Sequence, residues 1–287
     1  MTDRILVTGA TGIVGSKLVS LLLRDGVEVM AATRNPDRAR DLFEPGVEVV
    51  ELDYRQPATF DAAVEWADRV FLQPPPFDPD AYDALAPLLD WAVQAGAEHV
   101  VTLSAMGMEV RGDLPIRRLE KHLASLGVDY TFLRPNLLMQ NFRRDFLGDR
   151  IRRTGKFAMP VGAAAVSMVD GRDVAAVAAA ALTGTDHMGK AYTLTGPEAI
   201  THGDMARTLS EVSGREIRFE SCSDEEMLGW LTGAGWSPEV AGVVIALYQT
   251  VRAGVRAAVT EDVQRVLGRP ARSFRGFAED YAGEWRA

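Results

Sequence analysis

A chain of 287 residues, 47% hydrophobic and 25% charged, has the composition of a globular protein with room for one large α/β domain and a smaller lobe. Its net charge of −9 argues against a protein that holds nucleic acid or an anionic membrane by bulk charge. The single cysteine, Cys222, excludes an intrachain disulfide and a cysteine zinc cluster, and reads as incidental rather than nucleophilic. The four histidines (His99, His122, His187, His202) are scattered without metal-ligand spacing, so no metal site is expected. The first strand is predicted within a few residues of the N-terminus, so no signal peptide is expected. No apolar run approaches membrane-span length, and a cytoplasmic protein is the expectation.

Ile5-Leu6-Val7-Thr8 runs into Gly9-Ala10-Thr11-Gly12-Ile13-Val14-Gly15, and Leu18, Leu21 and Leu22 follow at helical spacing. A strand, a tight glycine turn and a helix N-terminus are the setting that a dinucleotide pyrophosphate requires, because the backbone approaches closely and free N–H groups point at the anion. The Gly-x-x-Gly-x-x-Gly spacing resembles that of the extended and atypical short-chain dehydrogenase/reductases. Val27 to Thr33 is the second predicted strand. No acid occurs from Val29 to Asn35, where an NAD site usually places one on the ribose 2′-hydroxyl. Arg34, with Arg38 a helical turn on, offers charge to a 2′-phosphate, which favours NADP(H) over NAD(H); the competing reading is a pair of solvated arginines at a helix start. Val47 to Leu52 is the third strand. Asp53 after it either meets the adenine amino group, as the resemblance implies, or caps a helix starting near Pro57. Ala67 to Leu72 is the fourth strand and ends in Gln73-Pro74-Pro75-Pro76, a rigid extended turn placed over the cofactor ribose. A helix from Asp80 to Ala95 leads to the fifth strand, His99 to Ser104.

Ser104-Ala105-Met106 lies where the fifth strand leaves the sheet, at the carboxyl edge that binds ligands in doubly wound folds. The resemblance implies a Ser or Thr here that hydrogen-bonds the substrate, followed by a Tyr-x-x-x-Lys acid–base pair. In register with Glu120 those two positions are Gly112 and Ile116, and no tyrosine occurs between Tyr82 and Tyr130. Tyr130 to Asn136 is the sixth strand and its exit. The glycine turn, Glu120 with Thr131-x-x-Arg134-Pro135, Gln140-Asn141-Phe142, Met168-Val169-Asp170-x-Arg172-Asp173 and Tyr192-x-Leu194-Thr195-Gly196-Pro197 together resemble the NmrA-like atypical short-chain dehydrogenases along nearly the whole chain. The Phe71-Leu72-Gln73-Pro74-Pro75 loop is also similar to the branch with the ergot-alkaloid iminium reductases.

The fold expected is α/β: a Rossmann-like doubly wound parallel sheet over residues 1–150, with a smaller, mostly helical substrate lobe over residues 151–287, laid on the carboxyl edge. Within the lobe a helix begins at Asp170 and Asp173, a strand at Ala191 to Thr195 rejoins the sheet, and helices cover His202–Ser213, Ser223–Ala234 and Pro238–Ala253, with a strand at Arg215–Glu220. The basic stretch Arg143-Arg144, Arg150, Arg152-Arg153 reads as a solvated helix face rather than a nucleic-acid contact. The cofactor set is Gly9, Thr11, Gly12, Ile13, Val14, Gly15, Arg34, Asp53, Gln73, Pro74, Pro75, Ser104 and Pro135. Ser104 and Asn136 are the candidate catalytic groups, and Met106, Asn136, Gln140, Asn141 and Trp230 the candidate substrate contacts. Each polar one has a competing role in satisfying the backbone.

Without a Tyr–Lys pair, hydride transfer suits electron-poor acceptors such as quinones, iminium ions, imines or enones, which need no strong general acid. The expected function is an NAD(P)H-dependent oxidoreductase of a small aromatic or imine-like substrate. The alternative is a non-catalytic redox sensor that binds the dinucleotide and acts through a protein partner. An extended-type epimerase is a third reading, disfavoured because such enzymes usually keep the pair.

Overall fold

The computed structural model describes residues 4–44, 46–143 and 145–286. In chain order the elements are β1 (Arg4–Val7), α1 (Ile13–Arg24), β2 (Glu28–Thr33), α2 (Pro36–Leu42), β3 (Glu48–Glu51), α3 (Asp61–Val64), β4 (Arg69–Leu72), α4 (Ala81–Gln94), β5 (His99–Leu103), α5 (Pro115–Ser125) and β6 (Asp129–Pro135). They continue with α6 (Asp145–Thr154), β7 (Lys156–Met159), β8 (Ala165–Val166), α7 (Gly171–Thr183), β9 (Lys190–Leu194), β10 (Ile200–Thr201), α8 (His202–Ser213), β11 (Arg218–Ser221), α9 (Asp224–Gly233), α10 (Pro238–Arg252), α11 (Asp262–Leu267) and α12 (Phe274–Asp280).

The chain divides into two compact units. The first joins Met1–Pro135 to Arg172–Thr193, and the second joins Asn136–Gly171 to Leu194–Ala287. The sheet of the first runs β3-β2-β1-β4-β5-β6-β9. Its registered pairings are parallel. β9 is parallel to β6 as well, with Gly189 N donating to Tyr130 O and Asn136 N to Leu194 O. This is the doubly wound order, and its switch point falls between β1 and β4, at whose carboxyl ends ligands bind. The strands are buried on both faces, so β1, β4 and β5 read as continuous apolar runs rather than alternating ones. One core packs Leu6, Val70, Leu72 and Val100 against Leu85, Leu88 and Leu89 of α4 and Leu119 and Leu123 of α5. Each of these leucines gains about 2 kcal/mol from leaving water. The strand expected at Ala191 to Thr195 is β9, and it completes the sheet.

The second unit is mostly helical around a core of Phe142, Phe157, Phe274, Phe277 and Trp285. β7 and β11 form a two-stranded parallel pair, and β8 and β10 a short antiparallel one. Reciprocal capping boxes start α8 (Thr201 with Asp204) and α9 (Ser223 with Glu226), and Ser237 caps α10 ahead of Pro238. The expected helix near Pro57 is a 3-10 turn, Pro57–Thr59, followed by the single turn of α3. Among the described residues no helix is long and apolar enough to cross a membrane, and no group of three or more His, Cys, Asp or Glu could hold a metal ion.

Candidate functional site

The turn between β1 and α1 is shaped by three glycines with three separate tasks. Gly9 has φ +60°, a left-handed conformation that a side chain would strain. Gly12 is the N-cap of α1; Gly12 N donates to Gly9 O at 2.9 Å, and no side chain caps the helix. Gly15 lies so close to Gly9 that a Cβ there would sit 2.3 Å from the Gly9 carbonyl oxygen. The first-turn N–H groups of Ile13, Val14 and Gly15 therefore face outward with the positive end of the helix dipole behind them.

Gln73 lies across this turn. A Cβ on Gly9 or on Gly12 would come within 3.1 Å of its side-chain amide. The β4 exit is held from two sides: Gln73 N donates to Thr8 Oγ1 at 2.9 Å, and Tyr54 Oη donates to Gln73 O at 2.9 Å. Desolvation pushes the Tyr54 phenol up to about 12, so it stays protonated and committed to that carbonyl. Gln73 Oε1 is buried with no hydrogen-bond partner among the described residues. A closely approachable glycine cradle, an uncapped helix start and an orphaned amide oxygen together fit a dinucleotide pyrophosphate and ribose.

At the β2 exit, Arg34 and Arg38 are exposed, and among the described residues no hydrogen bond or ion pair engages either guanidinium. Asn35 caps α2, its Oδ1 accepting from Arg38 N at 3.1 Å. Asp53 accepts from Arg55 N and from Gln56 Nε2, and these bonds lead in holding its carboxyl below the usual range. It closes the turn into Pro57–Thr59, whose N-cap is Gln56.

The exits of β5 and β6 lie side by side. Ser104 N donates to Leu133 O at 2.7 Å and Met106 N to Pro135 O at 2.9 Å, which brings Ser104, Met106 and Pro135 together. Ser104 is 9% exposed, and its Oγ has no hydrogen bond of good geometry. That hydroxyl faces Glu120 closely enough to help lower its pKa. Glu120 is fully buried in α5; burial pushes its carboxyl up, but Arg134, Ser104 and Arg117 outweigh that and hold it ionised. Arg134 grips it in a bidentate pair, Nε to Oε1 and Nη2 to Oε2, both at 2.9 Å.

In the second unit, the Asn136 and Gln140 side chains are engaged internally. Asn136 is 3% exposed; its Nδ2 donates to Ser167 O, Ser167 Oγ and Arg256 O, and its Oδ1 accepts from Leu137 N. Gln140, 5% exposed, donates to Asp170 Oδ1 and accepts from Gly171 N, both at 2.8 Å. Asn141 is exposed. Trp230 is half-buried beneath the Arg150 guanidinium, 4.7 Å from its ring centroid. The arginines after β6 are taken up within the same unit: Arg143 pairs with Glu284 and lies over Tyr281, and Arg152 pairs with Asp149. Arg144 lies outside the described residues.

Sequence reasoning did not anticipate His202, which is fully buried beside Phe142, Phe157 and Phe219 with neither ring nitrogen hydrogen-bonded among the described residues. Nor did it anticipate Trp285, which is fully buried and whose Nε1 donates to Phe142 O at 3.0 Å. His202 does carry a local signal, since it follows a Thr that begins a capping box.

The chain is 35% identical over 287 residues to an NAD(P)H azoreductase of Xenophilus azovorans, covering 99% of each chain. It is 40% identical over 284 residues to a (4-alkanoyl-5-oxo-2,5-dihydrofuran-3-yl)methyl phosphate reductase of Streptomyces griseus, covering 97% of this chain and 98% of that one. The crystal structure of Citrobacter sp. triphenylmethane reductase complexed with NADP(H) superposes with a TM-score of 0.82 at 26% identity, covering 97% and 99%. The profile of the NmrA-like family matches residues 1–253. With the doubly wound sheet and the glycine turn at its switch point, the chain belongs to the NmrA-like family.

Proposed function

We propose that this protein is an NAD(P)H-dependent oxidoreductase that reduces a small, electron-poor, planar acceptor of the quinone, azo, iminium or enone kind. The observation that carries the reading is the uncapped N-terminus of α1 behind Gly9, Gly12 and Gly15. End-to-end similarity to an NAD(P)H azoreductase and to a second protein named as a reductase supports it. Gly9, Thr11, Gly12, Ile13, Val14 and Gly15 hold the pyrophosphate, Gln73-Pro74-Pro75 lies over the ribose, and Asp53 lies at the adenine. NAD(P)H, when bound, supplies a hydride. Arg34 and Arg38, exposed and uncommitted, favour NADP(H) by offering two cations to a 2′-phosphate.

We base the acceptor class on the state of the proton donors around the β4 and β5 exits. Gly112 and Ile116 stand where a Tyr–Lys pair belongs, Tyr54 is committed to Gln73 O, and Glu120 is ionised. Ser104 Oγ, which has no hydrogen bond of good geometry among the described residues, is the hydroxyl at the β5 exit that donates to a developing oxyanion in this reading. The Asn136 and Gln140 amides, already engaged, act by fixing the backbone of residues 136–140. Met106, Asn141 and Trp230 remain the proposed substrate contacts.

The test is the oxidation of NADPH and NADH, followed by absorbance, against a panel of quinones, azo dyes, cyclic imines and enones. Turnover of a panel member with NADPH preferred establishes the reading. Tight cofactor binding without turnover of any member overturns it and makes the chain a redox sensor.

A further inference from the structure

A second concave site lies within the first unit and shares no residue with the glycine turn. It is a pocket of about 290 Å³, bounded by α5, the face of β6 and the start of β9. That volume is at the small end of ligand pockets and suits a single bicyclic ring system. Its floor is aromatic: Tyr130 and Phe132 stack with centroids 4.6 Å apart and planes 20° from parallel. Its rim carries Arg117, Lys121, Arg134 and Lys190 against one lining carboxylate, Glu120.

The charges divide into two groups. Arg134 and Arg117 are neutralised by Glu120, with Glu109 3.4 Å from Arg134. Lys121 and Lys190 have no carboxylate partner among the described residues; Lys121 Nζ reaches only the Gly112 carbonyl, at 3.0 Å. The Tyr130 phenol likewise has no hydrogen-bond partner among them. Two ammonium groups without a carboxylate partner, that of Lys121 held only by the Gly112 carbonyl, and a phenol without a hydrogen-bond partner thus line one pocket with an aromatic floor, in a protein of net charge −9. A neutral ligand leaves both ammonium groups unused, and a bare inorganic anion leaves the ring floor unused.

We propose that this pocket binds a small aromatic carboxylate or sulfonate, its ring against Tyr130 and Phe132 and its anionic group between Lys121 and Lys190. The proposal is independent of the reductase reading. Because Glu120 lines the pocket and also faces Ser104, an anion there sits one residue from the β5 exit.

The experiment is calorimetric titration of the full chain with naphthalene-2-sulfonate, in the presence of saturating NADPH. Saturable one-to-one binding that weakens with added salt is expected. Lys121→Ala/Lys190→Ala removes only exposed side chains and is expected to fold normally and to weaken binding about tenfold. 2-Naphthol and inorganic sulfate are each expected to bind at least tenfold more weakly than the sulfonate. Absence of saturable binding, displacement by NADPH, an unchanged affinity in the double variant, or equal affinity for 2-naphthol or for sulfate overturns the proposal.

Discussion

Gly15→Ala tests the glycine turn in both its packing and its chemistry. The new methyl carbon would lie 2.3 Å from Gly9 O, 2.9 Å from Gly9 C and 3.0 Å from Ala10 Cα. All three are backbone atoms, so no side-chain rotation relieves the overlap. Restoring an ordinary contact requires α1 and the turn to separate by about 1 Å, and overpacking of this kind costs about 1–3 kcal/mol. Gly15 lies in the first turn of α1, where alanine's helix preference returns up to about 1 kcal/mol. The net loss is about 1–2 kcal/mol, or roughly 2–4 °C in melting temperature for a chain of this size. The same displacement moves the first-turn N–H groups away from a bound pyrophosphate, and losing about 1.4 kcal/mol there weakens NADPH binding about tenfold. Gly229→Ala is the control, because its Cβ meets open space in the middle of α9. It is expected to leave binding unchanged and to hold or raise stability. The readouts are thermal melts and NADPH fluorescence titrations. A Gly15→Ala protein that melts within 1 °C of the parent and binds NADPH as tightly would refute the close approach and the cradle built on it.

Arg34→Ala is expected to weaken NADPH binding about tenfold while leaving NADH within about twofold, measured by parallel titrations; an equal loss for both removes Arg34 from the 2′-phosphate. Asn136→Ala takes a donor from the buried Ser167 carbonyl and an acceptor from Leu137 N, and is expected to cost about 2–4 kcal/mol in urea unfolding with NADPH affinity retained. His202 is held neutral, its pKa lowered to about 4 by burial, whereas the unfolded chain titrates it near 6.5. The unfolded state therefore gains the proton first: His202's contribution is intact above about pH 6.5 and is lost as pH falls towards 4. By pH 4.5 the loss is about 2–3 kcal/mol. His202→Leu is expected to shrink the stability difference between pH 7 and pH 4.5 by that amount, and an unchanged difference refutes it; His99, lowered the same way, keeps the remaining slope. With a quinone acceptor, kcat is expected to be flat from pH 6 to 9, and an alkaline limb would reveal a proton donor.

The sheet was legible because its strands are short apolar runs between glycine and proline punctuation, and β9 was found the same way. Elements whose signal is weak locally were not. β7 is four residues, Lys156–Met159, and becomes a strand by pairing with β11; only β11 was anticipated, as Arg215 to Glu220. α5 begins at Pro115 without a side-chain cap, and α11 and α12 are too short for a periodic signal. The glycine turn was readable because its chemistry is carried by backbone, whereas side-chain roles needed coordinates. Asn136 and Gln140 look alike as candidate ligand contacts in sequence, and only their burial and saturated amides reveal what they bind. Trp230 stands out in sequence as a candidate substrate contact, yet the tryptophan that closes the second core is Trp285. Burial of an aromatic ring is decided by contacts distant in sequence, here across 143 residues to Phe142.

The protonation states in the first unit bear on what kind of catalyst such a site can be. A general acid must hold a proton near neutral pH and release it when charge develops. Glu120 fails the first condition, because Arg134 and Arg117 keep it ionised despite its burial. Tyr54 fails the second, since its phenol is pushed up to about 12 and already donates to Gln73 O. His99 is buried and held neutral, its pKa lowered to about 4, with Nε2 taken by Thr131 Oγ1 at 2.9 Å. Ser104 can share its hydroxyl proton in a hydrogen bond, but the carboxylate it faces is ionised and is itself an acceptor. With no acid behind it to replace its proton, such a hydroxyl can only hydrogen-bond an oxyanion, and must turn from Glu120 to do so. Under the proposed function, selectivity then rests on the acceptor's own electron demand: molecules whose reduced form is a weak base are turned over, and ordinary ketones, which need a proton in the transition state, are passed by.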